Sequence, residues 1–194
     1  KSRPIPSARV RAAQRTPGFE VNDVGFSTAT ERLDAGARIE YQEPVPGDIF
    51  RDYRIEFSTF HNWRHSVLDD GIFSASSWGQ AHKNGQASLQ ASFTFLNWWG
   101  VGFEYEYRPE VLSDVLTRGG PLMVDPGASE FGIEGSTDRR DDLTLNAEFE
   151  HSSGTRGGDG YEVRVGVEAR PTNGIVVSVS PSYERALDLR QYVT

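Results

Sequence analysis

The chain has 194 residues, 37% of them hydrophobic, 11% aromatic and 25% charged, with a formal net charge of −8 and no cysteine. The missing cysteine excludes disulfides, thiolate metal sites and a cysteine nucleophile, and the acidic balance argues against nucleic acid and against a polybasic membrane-surface module. No run of eighteen apolar residues occurs, which excludes a transmembrane helix but not a transmembrane barrel, whose strands need only every second residue apolar.

The chain opens on Lys1-Ser2-Arg3-Pro4, without a charged-then-apolar leader. Any signal peptide is therefore expected to have been removed or to lie outside this stretch. Residues 1–18 read as an N-terminal segment with a partial strand around Val10, and residues 19–194 as a succession of strands. From Leu33 to Gln42 the odd positions are Leu33, Ala35, Ala37, Ile39 and Tyr41, and the even ones are polar or glycine. Such alternation puts every apolar side chain on one face of a pleated strand. Weaker alternation covers Tyr53 to Thr59, and Ala87 to Phe95. Lys83-Asn84-Gly85-Gln86 carries the Asn-Gly signal of a type I′ turn. It is expected at the tip or flank of a long loop, with Ile72 to His82 extending a strand.

From Trp99 to Arg108 one face carries Trp99, Val101, Phe103, Tyr105 and Tyr107, against Gly100, Gly102, Glu104, Glu106 and Arg108. Further strands are expected over Ser129 to Gly135, Leu143 to Phe149, Tyr161 to Arg170 and Ile175 to Tyr183. Each is near the roughly 9–11 residues that a tilted strand needs to cross a bilayer. Connections at Pro44–Asp48, Leu96–Trp98, Asp138–Asp141 and Pro171–Gly174 are short, whereas those at 63–85, 109–127 and 152–160 are long. Short and long ends alternate in outer-membrane barrels, with short turns in the periplasm and long loops outside. The expected fold is all-β, an antiparallel up-and-down meander of about eight amphipathic strands with no helix, as a transmembrane β-barrel or part of a larger one.

The polar face would then line a lumen with Asp34, Arg38, Glu40, Arg54, Glu56, Glu104, Glu106, Arg108, Glu130, Glu134, Glu148, Glu150, Glu162, Arg164 and Glu168. Carboxylate rings would favour cations. Interleaved arginines favour the alternative, a ladder of Glu–Arg pairs filling a narrow lumen. Pairs such as Glu104 and Glu106 resemble a glycosidase couple, but a face rich in Glu makes many such pairs by chance. His61 and His65 have helical metal-site spacing, yet in a strand they stand about 13 Å apart. With His82 and His151 they read as solvated loop residues. Ser66 with Asp69 or Asp70 is a Ser-His-Asp candidate by sequence proximity alone. The glycine-rich stretches Arg118–Pro121 and Gly154–Gly160 open no helix and so lack a phosphate cradle. Asp69-Asp70 and Asp141-Asp142 lack calcium-loop spacing. No metal, cofactor or catalytic residue is expected. Tyr41, Trp98, Trp99, Tyr105, Tyr107, Tyr161 and Tyr183 stand near strand ends, as interfacial aromatic girdles do.

Three pieces, Pro17–Phe26, Asn97-Trp98-Trp99 and Leu116–Pro121, come in an order that resembles the C-terminal barrel region of certain bacterial proteins. Those proteins join an N-terminal family 9-like carbohydrate-binding domain to a β-barrel of unknown function. The resemblance covers most of residues 15–190 and implies an outer-membrane location and a barrel longer than this stretch. The ending Leu189–Thr194, without a terminal aromatic, agrees with a part of such a barrel. The sugar-binding domain is not in this sequence, so a glycan ligand is implied for the family and not for these residues. Thr117, Arg118, Gly119, Gly120 and Pro121 form a loop motif of unassigned role. The expected partners are outer-membrane lipid and further strands, from the same protein or from another chain. The rival readings are a soluble secreted β-sandwich that binds a glycan or protein, and an outer-membrane hydrolase.

Overall fold

The computed structural model describes residues 5–15, 32–67, 73–113, 121–172 and 174–187. Its main body is one antiparallel sheet built from β1 (Ile5–Arg15), β2 (Arg32–Glu43), β3 (Phe50–Arg64), β4 (His82–Phe95), β5 (Gly100–Arg108), β8 (Ala128–Ser136), β9 (Leu143–Gly154), β10 (Asp159–Thr172), β11 (Ile175–Val179) and β12 (Ser182–Leu187). From β1 to β10 each strand pairs with the next in chain order, once the small hairpin of β6 (Val111–Ser113) and β7 (Met123–Asp125) is set aside, and β11 and β12 both pair with β10. The all-β, up-and-down meander expected from the alternation is therefore present. The partial strand around Val10 is a full strand of eleven residues paired along its length with β2.

β11 and β12 are two parts of one strand position. Val179 lies opposite Val167 and Ser182 opposite Arg164, so the register runs unbroken across the gap. Pro181 causes the interruption because it has no N–H to give to the ladder. Its carbonyl still accepts from Val165 N at 3.1 Å.

Three local expectations are corrected. Residues Ala75–Ala81 form a helix, α1, where an extension of a strand was expected. Ser74 caps it, with Oγ accepting from Ser77 N at 3.4 Å, a role that serine fills well at helix starts. Asn84-Gly85 is no turn but lies inside β4, with Asn84 opposite Asn62 and Gly85 opposite His61. A Cβ on Gly85 would stand 2.2 Å from His61 Nδ1, so the absent side chain makes room for a neighbour rather than for a bend. The connection at 152–160 is also tighter than expected. β9 and β10 run on until only Thr155–Gly158 separates them, and Gly157 and Gly158 turn the chain at φ of +101° and +99°.

The short turns cluster at one end of the sheet, and Trp98 ties three of them together. It occupies the β4–β5 turn at φ +66°, a conformation that costs a bulky residue. Arg51 lies over its ring at 3.5 Å from the centroid and Arg140, from the β8–β9 turn, at 3.9 Å. Leu96 N also donates to Ile49 O at 3.2 Å. Replacing Trp98 by Ala is expected to lose two cation–π contacts, each worth about 0.5–1 kcal/mol. Trp98→Gly is expected to cost less than Trp98→Ala, because glycine takes positive φ without strain. Equilibrium unfolding of the two variants checks that order.

The burial pattern is inverted relative to a water-soluble domain. Among the described residues the buried apolar side chains are Val67, Ala81 and Val111. All three belong to the long connections, none to the large sheet. On the sheet's apolar face Ile39 is 56% exposed, Leu89 46% and Val165 45%. On the opposite face the Glu56 and Asp34 side chains are only 13% and 15% exposed.

Candidate functional site

The ladder registers put all fifteen charged positions named from the sequence on one face of the sheet. Residues directly opposite in an antiparallel pair share a face, so the face can be followed strand by strand. One row runs Ser7, Glu40, Glu56, Gln90, Glu104, Gly132, Glu150, Glu162 and Glu184. Arg9 and Arg11 of β1 and Glu184 of β12 join this face, and sequence reading missed them. Their strands were read too short, although the alternation Glu184, Ala186 continues that of Ser182. Charges on the apolar face, Glu43, Asp159 and Arg185 among them, stand toward strand ends.

Two kinds of arrangement occupy the polar face. On β2 and β3, Arg38 meets Glu56 at 2.7 Å, and Arg54 reaches Glu56 at 2.8 Å and Glu40 at 3.0 Å. On β9 and β10, Arg164 meets both Glu148 and Glu162 at 2.6 Å. Arg38–Glu56, Arg54–Glu40 and Arg164–Glu148 cross between strands, whereas Arg54–Glu56 and Arg164–Glu162 run along one strand. Between them the face is dominated by carboxylates. Glu104, Glu134, Glu148 and Glu150 surround a depression of about 320 Å³ that Gly102 and Gly132 help to floor. A Cβ on Gly102 would stand 2.6 Å from Glu134 Oε1, so this glycine lets the neighbouring carboxylate lie across the sheet. Gln86 and Gln90 donate to Glu106 and Glu104 at 2.6 and 3.0 Å, and Arg108 pairs with Glu130. The β1–β3 side thus carries Arg9, Arg11, Arg38 and Arg54, and the β5–β12 side carries the carboxylate excess.

At the long-loop end, Arg64 extends from this face to the carbonyls of Gln80 at 3.2 Å and Leu112 at 3.0 Å. It ties α1 and the β6–β7 hairpin to the sheet. Thr117, Arg118, Gly119 and Gly120 of the loop motif lie outside the described residues, as do all of Pro17–Phe26 and both Asp69 and Asp70; Pro121 is exposed.

At the short-turn end, Asp138 is bound by its own turn. Arg140 donates to it through N at 2.9 Å and Nε at 2.8 Å. The side-chain hydrogen bond from Arg140 holds the Asp138 carboxyl down at about 2, against an ordinary 3.8. A carboxylate with a depressed folded value stabilises the fold above its unfolded value and loses that contribution as pH falls toward the folded one. The stability difference between the parent chain and Asp138→Asn is therefore expected to be constant above about pH 4 and to shrink between there and about pH 2. Unfolding titrations of both chains across that range check it.

The sequence suggests solvated loop residues for His61 and His82, but both are half-buried strand residues in contact across β3 and β4. Only the hairpin register brings them together, and no local pattern signals it. The described residues contain no group of three or more His, Cys, Asp or Glu arranged for a metal. Those residues thus define a single-layered antiparallel meander, apolar on one face and charged on the other. The chain belongs to a family described as a domain of unknown function, DUF5916, whose model matches residues 7–194. No curated protein and no solved structure matches it.

Proposed function

We propose that this chain forms part of the wall of a bacterial outer-membrane β-barrel, with its apolar face toward lipid and its charged face toward an aqueous lumen. One observation carries the reading: among the described residues the large sheet buries no apolar side chain, while carboxylates such as Glu56, Asp34 and Glu40 on the opposite face are the more enclosed. In water this is costly, because burying apolar surface is the main force for folding. In a bilayer it is the required arrangement, since lipid replaces the missing core. A β-sandwich would need a second sheet over the apolar face, and the other sheet among the described residues is the two-stranded β6–β7. Strands of 9 to 15 residues, as in β5 and β3, are long enough to cross.

The carboxylate-rich wall from β5 to β10 favours cations in that lumen. The resemblance to barrels joined to a carbohydrate-binding domain adds a role as the membrane anchor of a sugar-binding protein. Glycan recognition would then belong to that domain.

The sheet also needs partners. β1 and the β11/β12 position have no neighbour on their outer side among the described residues. Open edges in hydrocarbon leave N–H and C=O groups unsatisfied at several kcal/mol each. Alternating antiparallel pairings from β1 to β11/β12 leave the two edge strands running in the same direction. An all-antiparallel closure therefore takes an odd number of further strands, from the same protein or a partner chain.

The test is made on the protein as its own cell makes it. It is expected to remain with outer membranes after an alkaline carbonate wash. After detergent extraction it is expected to migrate differently on a gel before and after boiling. A protein that is soluble and monomeric without detergent would overturn the proposal.

A further inference from the structure

We infer that His61 and His82 form a two-imidazole site for a divalent transition-metal ion, with Cu2+ preferred. The site lies at the long-loop end of β3 and β4 and does not depend on the membrane reading. His61 Nδ1 and His82 Nε2 face each other at 2.9 Å. Thr59 Oγ1 donates its proton to Gln86 O at 3.1 Å, so toward His61 Nε2, 2.9 Å away, it acts as acceptor. That contact fixes the His61 proton on Nε2 and leaves the Nδ1 lone pair directed at His82. A ligating histidine is typically held this way, by a hydrogen bond on its other nitrogen.

The space for an ion is kept open by the backbone. Gly85 lies directly opposite His61, and a Cβ placed on it would stand 2.2 Å from His61 Nδ1 and 2.7 Å from His82 Nε2. Any side chain at residue 85 would therefore cover both ring nitrogens, and only glycine leaves them open to an ion. Metal–nitrogen bonds of about 2.0–2.1 Å to nitrogens at this separation subtend roughly 90°, the cis angle of a tetragonal ion rather than the wider angle of tetrahedral zinc. The order of divalent affinities then places Cu2+ first. Water would complete the coordination. Trp63 stacks on His61 with ring centroids 5.6 Å apart, and Trp78 meets Trp63 edge-on at 5.1 Å. The pair is therefore backed by two indoles whose fluorescence a bound Cu2+ would quench.

The experiment titrates Cu2+ into the untagged protein at pH 7.5, reading tryptophan fluorescence and electron paramagnetic resonance. The expected result is quenching that saturates at one equivalent, with a tetragonal spectrum showing two equatorial nitrogens. His61→Gln and His82→Gln are each expected to weaken binding at least tenfold, and His65→Gln and His151→Gln to leave it unchanged. Quenching that survives both His61→Gln and His82→Gln overturns the assignment. Should those variants fail to fold, the spectrum of the parent protein decides, because a signal without imidazole nitrogens also overturns it.

Discussion

Leu89→Arg is expected to destabilise the bilayer-inserted fold by about 2–4 kcal/mol, the cost of a cation on the lipid face near the midplane of a barrel. Gln90→Arg, one residue further along β4, is expected to cost nothing measurable. Leu89 stands between Phe57 and Tyr105 on the apolar face, in the row that also holds Ile39 and Phe131. Gln90 stands between Glu56 and Glu104 on the opposite face, where a guanidinium gains two carboxylates. The pair separates the readings sharply. Leu89 is already 46% exposed, so in water an arginine there would be almost neutral or would improve solubility. Reversible urea unfolding from phospholipid vesicles gives the two free energies. A harmless Leu89→Arg together with a costly Gln90→Arg would turn the sheet inside out and sink the membrane proposal.

That contrast between neighbouring residues also explains how much could be read from the sequence. Strand alternation has a period of two, so Leu33–Gln42 and Trp99–Arg108 declare both their strand state and their two faces without any partner. What stayed hidden depended on pairs distant in sequence. His61 and His82 are 21 residues apart and meet only through the β3–β4 register. Asn84-Gly85 has the composition of a turn, but its glycine answers to a ring on the adjacent strand. The segment Ala75–Ala81 carries no clean apolar period, and its helix rests on the Ser74 cap and on contact with β3. The reverse error occurred at Gly154–Gly160. A glycine-rich stretch suggested length, whereas two positive-φ glycines shorten the connection. Trp98 is intermediate. It stands in the Asn97-Trp98-Trp99 piece that is recognisable in the sequence, but its tie to Arg51 and Arg140 appears only when three turns converge.

Gly127→Ala is expected to be a damaging small substitution at the long-loop end, costing on the order of 1–3 kcal/mol as overpacking does, and more if the backbone cannot yield. A Cβ there would stand 2.7 Å from Glu110 N and 2.8 Å from Arg108 O, both main-chain atoms that no rotamer change moves. The close approach has a purpose. Gly127 O accepts from Thr155 N at 2.9 Å and from Thr155 Oγ1 at 3.2 Å. Next to it Arg156 Nε donates to Glu110 Oε2 at 2.6 Å. Gly127 therefore holds the start of β8 against both the exit of β5 and the β9–β10 turn, which fixes how the β6–β7 hairpin leaves the sheet. Glu110→Gln weakens the ion pair without crowding the backbone, and as an exposed pair it is expected to cost much less than Gly127→Ala. Limited proteolysis is the sensitive readout, because loosening should expose residues 109–113 and 121–127 to cleavage before the strands unfold. Equal protection of those segments in Gly127→Ala and in the parent chain would mean that the clamp does not set the loop.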